Sequence, residues 1–548
     1  MKYNRITTIN LALLFSLILL LGSCDNFLEE VPTANLSDKS TYKTQADVDA
    51  LTVGPYRSLP NWLSGGGDWG NQLPNSVEFV TGFAWTAEPH AQFWKYETNQ
   101  VSGDLLDNYN NQWVYWWQGV RDANFSIAQL NKVTSVATAN VQKALGEVRT
   151  LRAWYYFCLV RYFGDVPMVT EPLASISEAE QPRTSLKKIY DEVIIPDLEF
   201  AVNQSTLVDA KSTDGRITKY TARAILADVY LTCAGYPYQE VATNATKNWC
   251  VEGGWTMATY PVASGKSFLE KAKTQLDVLY GKYTLGTYKD LRDPAKNNTG
   301  EAIFQAQFLS TISNNGIIQC CFPLTSHISM FGDENGTFIP SMGYYNSYND
   351  NDLRKQERQF FFTSDKVSDK YAEKGNLVKF DRPYLYKYYD ELAVKGAAPA
   401  GGASGLNWTF YRYADILLML TEVNWTLKQL GASVSDNDIT KGINEVRARA
   451  LMPAYNASDV NLFSIMSERA YELVFENKMI WDQRRTRMCL TPGVGSFGTI
   501  HSFFGHRPES FSFNFSAMNL LCPMPGNEIK TNKKLLQNFG YLPKQVGQ

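Results

Sequence analysis

The chain has 548 residues, of which 44% are hydrophobic, 20% charged and 13% aromatic, and its formal net charge is −3. That length can bury a large core and would ordinarily be read as two or three domains, while the near-neutral balance provides no basic field, so nucleic acid is not an expected partner. After Cys24 the other seven cysteines are an odd set without metal-type spacing, and most read as small buried hydrophobes.

Lys2 and Arg5 precede an apolar run, Leu11 to Leu21, that falls short of the roughly twenty residues a membrane-crossing helix needs. Residues 1–23 therefore read as an export signal that is removed rather than folded. The closing order Leu21-Gly22-Ser23-Cys24 resembles the lipobox of bacterial lipoproteins, which implies that Cys24 is lipidated on sulfur and becomes the N-terminal anchor. One acyl chain holds a protein only reversibly and two hold it stably. The alternative, an ordinary secretory signal with a chance cysteine, would want a small residue where Leu21 stands. Asp25, Glu29 and Glu30 resemble the acidic signal that sends such lipoproteins to the outer face of the outer membrane. Residues 24–40 are polar and read as a tether.

Residues 41–283 form an N-terminal region of helix pairs with an aromatic-rich segment. Helical spacing begins at Val48 and stops around Gly54, Pro60 and Gly65-Gly66-Gly67. From Trp62 to Trp117 come seven of the thirteen tryptophans. Helical spacing returns between Leu105 and Leu130. A stripe from Val141 to Tyr162 predicts a long helix stopped by Gly164-Asp165 and Pro167. A second helix is expected from Ile189 to Val202, interrupted at Pro196, and a third from Tyr220 to Ala234 with an alanine face. Such pairs resemble tetratricopeptide repeats, without a legible ~34-residue consensus.

Residues 284–548 comprise a loop-rich lobe and the C-terminal helices. The lobe, to about Gly405, shows only short strand-like runs such as Ala302 to Ala306, and long loops inside a folded chain usually carry function. Helical order returns with Tyr413 to Leu427, then Ile443 to Ala450, and a long amphipathic stretch is predicted from Ile465 to about Arg487.

Several blocks carry a family likeness. Arg152 to Phe157 with Leu159 to Pro167, Gly215-Arg216-Ile217-Thr218, Arg412 to Leu418, Ile443 to Ala450, Glu468-Arg469 with Glu472 and Glu476, and Pro523-Met524-Pro525 with Gln537 to Tyr541 resemble the SusD/RagB family of surface lipoproteins. Lys478 to Trp481 and Phe539 depart from the pattern. The resemblance implies a mostly α SusD-like fold, with tetratricopeptide-like helix pairs and an irregular loop-rich lobe that binds nutrient. It further implies an outer-membrane, cell-surface location and a SusC-like TonB-dependent transporter as partner. Many members bind glycans, and the RagB branch binds peptides.

A sugar ring offers an apolar C–H face and a polar rim, so a flat aromatic beside amides or carboxylates suits it. Trp69, Glu78, Trp85, Trp94 and Tyr96 supply that combination, and Tyr345 adds a phenol in the lobe; core packing is the competing reading for each. Trp113, Trp116 and Trp117 sit on helical spacing and read as core. Asp350-Asn351-Asp352 fits no EF-hand, so neither a metal nor a cofactor is expected. Glu468, Glu472 and Glu476 with Arg469, Arg484 and Arg485 read as an ion network pinning the last helices. No G-x-S-x-G, H-E-x-x-H or Walker motif appears, and no catalytic residue is named. The expected function is capture of an oligosaccharide and its delivery to the transporter. Peptide capture is the nearest rival, a surface glycoside hydrolase the rival of another class, and a plug without ligand a third.

Overall fold

In the computed structural model the described residues are 42–63, 77–87, 93–102, 107–257, 260–312, 315–324, 326–330, 334, 336–397 and 403–541; Cys24 and Trp69 lie outside them. Helix α1, Gln45–Val53, opens on a capping box: the Thr44 hydroxyl accepts from Asp47 N, and the Asp47 carboxylate accepts from Thr44 N. Helices α2 (Asp107–Leu130) and α3 (Thr138–Phe163) run antiparallel. Ring centroids of Trp113 and Phe163 stand 5.3 Å apart, and those of Trp116 and Tyr162 4.9 Å, so the start of α2 lies on the end of α3. Farther along, a Cβ at Gly119 would fall 2.4 Å from the Tyr155 ring, which is why glycine stands at this crossing. The stop expected at Gly164 is real, at a φ of +71°.

The expected interruption at Pro196 takes a definite form. A short helix, Leu186–Ile189, widens into a π-turn at Tyr190–Ile194, and Ile195 N donates to Tyr190 O, five residues back. The wide turn absorbs the missing proline N–H, and α4 (Ile195–Asn203) continues. Helices α5 (Lys219–Cys233), α6 (Lys266–Leu279), α7 (Tyr413–Gln429) and α8 (Asp436–Arg449) extend the stack from α3 and α4, each packed on the one before. Because α6 packs on α7, the irregular lobe is an excursion between two adjacent helices, and one hydrophobic core runs through residues on both sides of position 283.

The strands of the described residues form two-stranded antiparallel pairs. Strand β1 (Ala84–Trp85) pairs with β3 (Ile339–Pro340), and β2 (Ala302–Ala306) with β6 (Trp408–Arg412). Strands β4 (Phe361–Lys366) and β5 (Leu377–Leu385) make one hairpin, β7 (Met488–Pro492) and β8 (Phe497–Ser502) another. All seven cysteines among the described residues are buried, which agrees with their reading as small hydrophobes.

The long helix expected over Ile465–Arg487 is two helices, α9 (Leu462–Leu473) and α10 (Met479–Thr486). Between them Phe475 and Asn477 take φ values of +61° and +57°. Three side chains hold the break open by capturing its carbonyls: Arg412 Nη2 donates to Glu472 O, Lys387 Nζ to Glu472 O and Val474 O, and the Tyr388 hydroxyl to Phe475 O. Distant partners thus outcompete the helical ladder.

The ion network exists, with partners other than those expected. Glu468 pairs with Arg354 and Arg447, Glu472 with Arg354, Arg412 and Arg449, and Glu476 with Arg412 and Lys387. Arg469 instead joins Asp415 to Asp482, and Arg485 joins Glu422 to Asp482. The Arg484 guanidinium packs against the Trp481 ring. Burial works against the charge on Glu472, yet Arg449, Arg412 and Arg354 hold its carboxyl down at about 2.

Candidate functional site

Strand β1 brings Trp85 to the margin of the lobe, where it faces Ile339 across the β1–β3 pair. The indole is half-buried, and the Arg382 guanidinium carbon stands 4.0 Å above its ring centroid. Arg382 belongs to β5, which packs on β3, so three strands distant in sequence build this contact. The Arg382 Nη1 is enclosed and has no hydrogen-bond partner, so the guanidinium keeps one unmet donor beside an aromatic face.

A second aromatic pair lies on the same lobe. The exposed His327 imidazole stacks on the Tyr371 ring at 4.1 Å, with 11° between the planes. The turn carrying His327 is fixed from inside by Glu334, whose carboxylate accepts from Ser326 Oγ, His327 N and Ser329 N at 2.7–2.8 Å. Ser368 N donates to His327 O, which ties this turn to the segment that leads to Tyr371. Gly336 O accepts from Ala87 N, two residues past Trp85, so one loop links the two aromatic pairs.

The other expected residues separate. Trp94 is 45% exposed on the short helix Phe93–Glu97, with the Lys95 ammonium 5.6 Å from its ring centroid. Tyr96, on the opposite side of that helix, is 1% exposed and sits edge-on to Phe79 at 5.7 Å. Glu78 is equally enclosed; its Oε1 accepts from Asn477 N at 2.7 Å, and burial pushes its carboxyl up to about 8. The expectation that Tyr96 and Glu78 meet a ligand at the surface is thereby corrected. Tyr96 completes a core contact, and Glu78 anchors the break between α9 and α10. Tyr345 is half-buried, edge-on to Phe361 at 5.3 Å, with Lys355 Nζ 5.4 Å from its centroid. Its neighbours Tyr344 and Tyr348 are core residues whose hydroxyls donate to Ala470 O and Tyr471 O. Arg382, His327 and Tyr371 carry no pattern in the linear sequence; β-strand pairing and loop closure bring them together.

A helical-pair scaffold that holds an irregular lobe, with aromatic rings and unspent polar groups on the lobe, defines a binding protein with a rigid frame. The comparisons give the class its family. Residues 300–541 match a profile described as the SusD family, and residues 26–231 one described as starch-binding associating with outer membrane. A SusD superfamily protein from Parabacteroides distasonis superposes with a TM-score of 0.80 at 30% identity, over 92% of this chain and 100% of that one. SusD-like protein P2 of Formosa agariphila is 26% identical, over 98% of this chain and 99% of the relative. Surface glycan-binding protein A from Bacteroides thetaiotaomicron, solved in complex with laminarihexaose, shares the fold at a TM-score of 0.65 and 18% identity, over 90% and 99% of the two chains. The chain belongs to the SusD/RagB family.

Proposed function

We propose that the protein is a cell-surface glycan-binding lipoprotein that captures an extracellular oligosaccharide and passes it to a SusC-like TonB-dependent transporter, with no bond made or broken. Trp85 carries this reading: a half-buried indole held in place by strand pairing, with an unpartnered guanidinium nitrogen at its side. An indole supplies area for the C–H face of a pyranose, and a charged donor suits its hydroxyls. Glu334 locks the turn below the His327–Tyr371 stack, so ordering costs little on binding. Trp94 adds an exposed indole.

The starch-binding family matched over residues 26–231 and the laminarihexaose complex of a protein of the same fold support the glycan class. In this reading Cys24 bears the lipid, and the tether of residues 24–40 allows at most about 60 Å of reach above the outer membrane. The test is calorimetric titration of the wild type, Trp85→Ala and Trp94→Ala with laminarihexaose, malto-oligosaccharides and xylo-oligosaccharides. At least one sugar series should bind the wild type and weaken about tenfold or more in Trp85→Ala. Undiminished binding in both variants rejects the site, and binding of peptides alone rejects the glycan reading.

A further inference from the structure

A concavity lined by none of the aromatic pairs above lies beside α6, α7 and α8. An open chamber of about 780 Å³ lies between the end of α6, the start of α7 and the exposed side of α8, lined by Tyr280, Leu285, Glu445 and Ala448 among others. A narrower one of about 310 Å³ lies between residues 286–301 and the β2–β6 pair. Gly286 and Asp290 border both, so the two cavities flank one segment and are taken together as one cleft. Both volumes fall in the range of small-molecule sites, ~300–1,000 Å³.

The wall chemistry selects the ligand. Asp290, Asp293 and Glu445 bring carboxylates and the exposed Lys296 a cation, while Arg412 and Arg449 are already paired with Glu301 and Glu472, so a strongly anionic ligand meets repulsion in the cleft. Each free carboxylate spends one oxygen inward. Asp290 Oδ2 accepts from Thr287 N at 2.9 Å, Asp293 Oδ1 from Ala295 N at 2.9 Å and Glu445 Oε1 from the Tyr280 hydroxyl at 2.7 Å. The second oxygens are left as acceptors. Lys296, exposed at the rim, supplies a donor, whereas the Tyr283 hydroxyl and Arg449 Nε have no partner but are enclosed in the wall. The half-buried Tyr280 ring and Leu285 add apolar surface. Groups that donate and accept at close spacing around an apolar face are those of a neutral polyol.

We infer that this cleft is a second saccharide site, separate from Trp85, that takes one to three units of a neutral chain. The inference rests on the proposed glycan function and deepens it: two sites on one rigid frame would hold a long chain at two points and raise its residence by effective concentration.

Hydrogen exchange on the full chain with millimolar laminarihexaose, maltohexaose and xylohexaose tests it. A bound sugar should slow exchange over residues 284–290 in the wild type and in Trp85→Ala alike. Asp290→Asn with Glu445→Gln keeps both inward hydrogen bonds and should weaken the cleft about tenfold. Ala448→Trp, on the exposed side of α8, should fill the cleft and abolish protection there while leaving the thermal midpoint unchanged. Protection near Trp85 with none over 284–290 overturns the second site alone. No protection anywhere, from any of the three sugars, overturns both readings.

Discussion

Arg382 covers one face of Trp85, its guanidinium carbon 4.0 Å from the indole centroid and its Nη1 without an acceptor. A cation so placed is attracted to the ring by about 0.5–2 kcal/mol and fixes the indole plane. In the proposed function this makes a one-sided platform, the ring face away from Arg382 serving for stacking and the guanidinium edge for a charged hydrogen bond.

Replacing this arginine tests which role dominates. Arg382→Ala should weaken oligosaccharide binding roughly tenfold, the effect of losing one hydrogen bond to a charged group. Titration of the variant beside Trp85→Ala checks it; tighter binding would mean that the cation merely occupies the stacking face.

The buried ion network makes a separate prediction about stability. Arg412 bridges Glu301, Glu472 and Glu476 and also captures Glu472 O. Arg412→Met leaves buried carboxylates short of a partner and an open helix break, and should cost about 3–5 kcal/mol. Urea denaturation measures this, and a loss below about 1 kcal/mol would contradict the picture.

Glu78 gives a pH dependence of definite sign. Its folded carboxyl is pushed by burial from 4.5 up to about 8, so the folded state keeps a proton that the unfolded chain releases. The stability it contributes is complete below about pH 4.5 and is lost as pH rises through 8. Glu78→Gln still accepts from Asn477 N and has no proton to lose. Thermal midpoints of the two proteins should match near pH 4.5, diverge in favour of the glutamine up to about pH 8, and stay apart above it.

Acid acts through the opposite class of group. Burial opposes the charges on Glu472 and Asp415, but Arg449 and Arg412 around the first, and Lys478 and Arg469 around the second, hold both at about 2. Their folded values lie below the unfolded ones, so the stability they supply is present above about pH 4.5 and disappears as pH falls toward 2. Denaturation midpoints taken at pH 6, 4 and 3 should decline steadily, and a flat series would count against the pairing.

How far the sequence discloses this molecule depends on the range of the interaction. Helix α3 is legible because its stripe and its Gly164 stop are local, and α5 because its alanine face is. Pro196 marks a break that becomes a π-turn, a detail set by where Ile195 N finds an acceptor. Strands β4 and β5 escape notice because their cross-strand partners are separated by a loop and alternate poorly. The division of α9 from α10 is invisible in the local pattern, since Lys387, Tyr388 and Arg412 impose it from 60 to 87 residues away. For the site, Trp85 and Trp94 stand out as aromatic residues among polar ones, and so do Tyr96 and Glu78, which the fold turns inward. Composition cannot distinguish the two sides of a five-residue helix. Arg382 becomes visible only once β5 has packed on β3.

The sulfur atoms have a practical corollary. Every described cysteine is enclosed, and burial drives the Cys158 thiol up to about 12, so maleimide reagents meet no reactive native sulfhydryl on the described surface. Val494→Cys, at the tip of the β7–β8 hairpin where the side chain is 93% exposed, would therefore offer a dye the one reactive thiol among the described residues. Labelled this way, the protein could be used to test the proposed docking on a SusC-like transporter in real time.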